Sequence, residues 1–81
     1  MEIHGYAKEE RDTENLIPAE LVEITLVASA NELRRIAKFL ERCADNIEKY
    51  GKSWGHEHLS DQDKSFGNSP HFVVFNPDYE L

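Results

Sequence analysis

The sequence predicts an α+β fold: a two-layer sandwich in which an antiparallel sheet of about four strands, ordered strand, strand, helix, strand, strand, carries one amphipathic helix on one face. Three observations carry that expectation. Leu33, Ile36, Leu40, Cys43 and Ile47 recur at alternating three- and four-residue spacings, as one face of a helix requires. Two runs, ELVEITLVA at 20–28 and HFVVFN at 71–76, are rich in the β-branched, aliphatic and aromatic residues that suit strands. The chain has 81 residues, enough for one small core and too few for two ordinary domains.

The elements follow in chain order. Residues 2–8 alternate loosely and predict a first strand. Residues 9–17 are charged, lack periodicity and predict a loop. The strand at 20–28 begins after Pro18, where a missing N–H costs no ladder bond. It puts Val22, Ile24, Leu26 and Ala28 on one face, expected to meet the helix, and Leu21, Glu23, Thr25 and Val27 on the other. The helix spans 29–51, with Ala37 and Ala44 filling its apolar stripe. Ser29 followed three places later by Glu32 reads as a capping box. Gly51 closes the last turn, and Lys49 complements the negative end of the dipole. A short polar strand at 55–59, a turn-rich loop at 60–69 and a closing strand at 71–76 between Pro70 and Pro77 complete the chain. One sheet face is left without a helix, so Leu21, Val27 and alternate residues of HFVVF must meet water, a partner or a second copy.

Composition narrows the function classes. Sixteen acids against nine bases give a net charge of −7, which repels phosphate backbones and anionic membranes. Segment 1–20 carries six acids and two bases, whereas 30–50 carries four acids and five bases, so the helix is the one basic part. No run approaches the roughly 18 apolar residues of a membrane span, and the acidic start does not resemble a secretory signal. The expected location is the cytoplasm, consistent with a single cysteine, Cys43, that has no internal disulfide partner.

One patch, WGHEHLSD at 54–61, is dense in chemistry-bearing side chains. On a strand, His56 and His58 point to the same side and supply two nitrogens, half of a tetrahedral metal site; His4, His71, Asp61 or Asp63 would have to complete it. The plainer reading is a pair of histidines at a sheet surface, and no metal or other cofactor is assigned. His58 with Glu57 or Asp61 could form a base and its orienter, but no matched nucleophile accompanies them, so no catalytic residue is assigned and the chain is not expected to be an enzyme. Cys43 falls on the apolar stripe and reads as a small core hydrophobe. Arg34, Arg35, Lys38 and Arg42 crowd the outer helix faces with Glu41 and Asp45, a pattern typical of a solvated surface and also of an anion-binding patch. Trp54, Tyr50 and Phe66 read as core rim or as binding anchors.

The order of these parts resembles a known family. A helix ELRRIAKFLERCADNIEKYG, then WGHEHLSD with its HEHL at 56–59, then a closing apolar strand HFVVFNP, is similar to the immunity protein 32 family of bacterial polymorphic toxin systems, over residues 20–77. The resemblance implies a small cytoplasmic protein that binds and neutralises a cognate toxin; the acidic start, 1–17, has no counterpart in it. The negative charge agrees with a basic protein partner. The expected contact surface is Trp54, His56, Glu57, His58, Asp61 and Asp63, with Glu9, Glu10, Asp12 and Glu14 as a rim. The alternatives are a homodimeric interaction module that hides its open sheet face, or a small metal-binding protein using His56 and His58.

Overall fold

The computed structural model describes residues 1–8 and 18–81. The loop expected at 9–17, with the acidic rim Glu9, Glu10, Asp12 and Glu14, lies outside the described residues. Strands β1 (Glu2–Ala7) and β2 (Leu21–Val27) form an antiparallel hairpin in which Glu2 faces Val27 and Tyr6 faces Glu23. The register then shifts, so that Ala7 opposes Leu21 and Val22 lacks a direct partner.

Helix α1 (Ala30–Tyr50) starts where the capping box places it. The Glu32 N–H donates to Ser29 Oγ at 3.1 Å, and the Ser29 N–H donates to Glu32 Oε1 at 2.9 Å. It ends at Gly51, whose φ of +56° is open to glycine and strained for any other residue, and whose N–H donates to the Ile47 carbonyl. A 3₁₀ turn, Gly51–Ser53, leads to β3 (His56–His58), α2 (Leu59–Gln62), a second 3₁₀ turn, Lys64–Phe66, and β4 (Val73–Phe75). β3 and β4 pair antiparallel, with His56 opposite Phe75 and His58 opposite Val73.

The fold is therefore α+β, as the sequence predicts, but the four strands pair in twos rather than in one sheet. Scale accounts for the arrangement. A helix of 21 residues is about 32 Å long, whereas a three-residue strand covers about 10 Å. The β3–β4 ladder covers part of α1, and α2 with the Lys64–Phe66 turn covers more. The core is built there from Ile36, Phe39, Cys43, Leu59 and Phe66, with Met1, Trp54, Phe72 and Val74 packed around it. Phe39 and Phe72 meet edge to face at 6.3 Å.

Two expectations about faces change as a result. The covered stripe of α1 is Ile36, Phe39 and Cys43, rotated toward Phe39, so that Leu33 and Leu40 stay exposed at 47% and 43%. The β2 face expected to meet the helix does so only in part: Leu26 and Ala28 are half-buried, while Val22 and Ile24 are exposed. The segment expected as a plain loop, 60–69, contains most of α2 and the turn that buries Phe66. Cys43 is a core residue, 2% exposed, and burial pushes its thiol pKa up, with the Glu57 charge adding to the effect and Arg42 opposing it. No helix among the described residues is long and apolar enough to cross a membrane.

Candidate functional site

The short ladder decides where the WGHEHLSD side chains go. Its hydrogen bonding continues past both ends: the Leu59 N–H donates to the Phe72 carbonyl at 2.8 Å and the Asn76 N–H to the Gly55 carbonyl at 2.8 Å. Alternation along β3 and β4 then places His56, His58, Val73 and Phe75 on the outer face and Glu57 and Val74 on the inner one. The outer face is uncovered, with Phe75 65% and Val73 37% exposed. His56 stacks on Phe75 at 4.7 Å with an interplanar angle of 10°. His58 lies edge-on to His56 at 5.5 Å and to His71 at 5.6 Å, so three imidazoles run in a row beside the exposed phenyl ring.

The other candidate residues divide between two places. Trp54 is half-buried and packs on the core. Glu57 faces away from the two histidines, and its Oε1 accepts a hydrogen bond from the Gln62 amide. Asp61 is exposed on α2. Asp63 accepts from Arg35 Nε at 2.5 Å and Arg35 Nη2 at 2.9 Å, and from the Ser65 N–H at 3.1 Å and its hydroxyl at 2.7 Å. The six residues thus form no continuous acidic surface. His56 and His58 share one face, while Glu57 and Asp63 serve the junction of α1 with α2 and the following turn. Among the described residues, no group of three or more His, Cys, Asp or Glu is placed to hold a metal ion.

The Arg35–Asp63 pair is a planar fork on a carboxylate, joining residues 28 apart in sequence. The guanidinium, followed by the Ser65 hydroxyl, holds the Asp63 carboxyl well below the usual carboxylate range. As pH falls, the unfolded chain therefore takes up this proton before the folded one. The pair's stabilisation is full above about pH 4 and drains away below it. Asp63→Asn is expected to melt below wild type at pH 7, with the gap narrowing as pH falls from about 4 toward 2. A gap that stayed constant over that range would assign the loss to packing instead.

Residues that sequence reasoning passed over include Phe75 and Asn76, while His71, one of the residues expected to join His56 and His58, does lie beside His58. Phe75 could have been found from the rule that alternate residues of a strand share a face, had the register with β3 been known. Asn76 is 3% exposed; its amide donates to the Gly51 carbonyl at 3.0 Å and the Trp54 carbonyl at 2.9 Å, and its oxygen accepts from the Asp78 N–H at 3.0 Å. It ties the end of α1 to the end of β4 and fixes how the histidine ladder sits on the helix.

The architecture is one long helix with a minimal core on one side of it and an uncovered face of aromatic and imidazole rings. The chain belongs to the immunity protein 32 family, whose family model matches residues 23–77, a span from β2 through β4 that includes the whole imidazole row. No curated protein and no solved structure matches it.

Proposed function

We propose that the protein neutralises a cognate bacterial toxin in the cytoplasm by direct protein–protein contact, without catalysis, and that the outer face of the β3–β4 ladder is the centre of the contact. Family membership supports the class of function. The observation that carries the site is the exposed Phe75 ring stacked on His56 and continued by His58 and His71, a rigid aromatic patch of the kind that anchors interfaces. Glu57 and Asp63 take part by holding α2 in place beside that face. The net charge of −7 favours a basic toxin surface, speeding encounter and disfavouring acidic bystanders.

The test is co-purification and growth rescue with the toxin domain encoded at the same locus. Phe75→Glu and His58→Glu change exposed or half-exposed positions, so their melting curves are expected to stay near wild type. Their affinity is expected to fall about 30-fold or more, the loss of an interface anchor. Full rescue by both variants, with unchanged affinity, would remove this face from the contact. Light scattering of the same samples sizes the free chain. A monomer there would count against the second reading, a homodimer that pairs the exposed Leu21, Val22 and Ile24 of two hairpins.

A further inference from the structure

The basic stripe of α1 does not simply face solvent. Arg35, Lys38 and Arg42 fall at i, i+3 and i+7 and so share one side of the helix. With Phe39, Gln62 and Asp63 they line a groove of about 350 Å³ between α1 and α2. That volume is at the lower end of the about 300–1,000 Å³ typical of ligand clefts, room for a side chain rather than a large cofactor.

The charges in the groove are unequal. Both Asp63 oxygens are engaged by Arg35, and one also by Ser65, so Arg35 and Asp63 balance each other. Among the described residues Lys38 and Arg42 form no ion pair, so two cations stand on the wall of a groove in a molecule of net charge −7. Glu41 and Asp45 lie one turn further on from Lys38 and Arg42 and do not line the groove. Glu57 reaches its edge only through the hydrogen bond to Gln62. Phe39, 4% exposed, forms the floor of the groove and belongs to the core.

We propose that this groove is a second docking point for the protein partner, taking an aspartate or glutamate side chain from an acidic segment, its carboxylate held by Arg42 and Lys38. The chemistry selects a singly charged carboxylate over a phosphate, because the Asp63 wall opposes a second negative charge. The inference rests on the reading that the chain acts by binding a protein, and it adds an acidic element to a contact whose other side is expected to be basic. The recognition would then be two-signed, which restricts partners more than net charge alone.

The test uses the full chain with a synthetic peptide, Ac-Gly-Glu-Leu-Glu-Gly-NH₂, its Gln counterpart and inorganic phosphate, followed by amide and side-chain NMR shifts. The expected result is millimolar binding of the Glu peptide, with shifts centred on Phe39, Arg42 and Gln62, and at least tenfold weaker binding of the Gln peptide and of phosphate. The double variant Lys38→Glu/Arg42→Glu should lose the peptide and weaken toxin binding at least tenfold, and Lys38→Gln/Arg42→Gln should show the same losses in smaller measure, with melting curves near wild type in both. Equal binding of the Gln peptide or of phosphate would overturn the proposal. So would undiminished toxin binding by the double variants, a result that would leave the Phe75 face untouched because that face is read by its own substitutions. Peptide binding that emerged only after Glu9, Glu10, Asp12 and Glu14 were changed to their amides would also overturn it, assigning the groove to the chain's own acidic segment.

Discussion

Phe66→Ala is expected to leave the protein largely unfolded at room temperature. Phe66 is 2% exposed and is one of five buried apolar side chains among the described residues, together with Ile36, Phe39, Cys43 and Leu59. Truncating a buried phenylalanine costs about 3–5 kcal/mol, the transfer energy of the ring plus the cavity it leaves. A core of this size rarely supplies more than about 3–5 kcal/mol of net stability, so the substitution consumes most or all of it. The cavity cannot close by collapse, because the Lys64–Phe66 turn that carries the ring is pinned by Asp63 to Arg35. Circular dichroism with urea titration measures the loss. Phe66→Leu, which retains most of the apolar contact, is expected to fold with a lower midpoint. A cooperative transition near wild type for Phe66→Ala would mean that the core is held by other contacts.

Asn76→Asp is expected to be nearly as damaging, through charge rather than volume. The Asn76 amide donates to two carbonyls, of Gly51 and Trp54, inside a site 3% exposed. A carboxylate there has no hydrogen to give, faces two carbonyl oxygens and is removed from water, at a cost of about 3 kcal/mol or more. The sign of its pH dependence identifies the mechanism. Burial raises the pKa of an introduced acid, so stability is recovered below the ordinary aspartate value of about 4 and lost as pH rises through the raised one. Asn76→Asp should therefore rise toward wild type in acid, whereas for Asp63→Asn the gap closes because wild type itself loses stability. Thermal melts at pH 3 and pH 7 distinguish them. Asn76→Ala, which strands two carbonyls without adding charge, should be destabilised at both pH values.

The parts of this fold that were legible in the sequence are those determined by neighbours along the chain. Ser29 and Glu32 satisfy each other's backbone N–H groups within one turn, so the start of α1 can be read directly, and Gly51 marks its end for a reason local to its own φ. The β2 run and the existence of strands near His56 and Val74 follow from composition and alternation. What could not be read depends on distant pairing. The apolar arc of α1 is wide enough to include both Leu33 and Phe39; which edge is covered is decided by where Leu59 and Phe66 come to rest, not by periodicity. Asp63 was expected on the contact surface, and its pairing with Arg35 could not be read because Arg35 lies 28 positions earlier. The row of His56, His58 and His71 depends on His58 being opposite Val73, a register that neither strand specifies alone. Asn76, beside Pro77, carries the ordinary signature of a strand end, and nothing nearby announces that its amide reaches back to the close of the helix.

The placement of the core beside β3–β4 leaves the β1–β2 ribbon largely outside it: Met1 packs on the core, while Tyr6, Val22 and Ile24 are in solvent. Such a ribbon can be lengthened, trimmed or rewritten over generations while the body that carries the imidazole row keeps its shape. Sequence change in the exposed ribbon therefore costs the fold less than the same change beside Leu59 or Phe66.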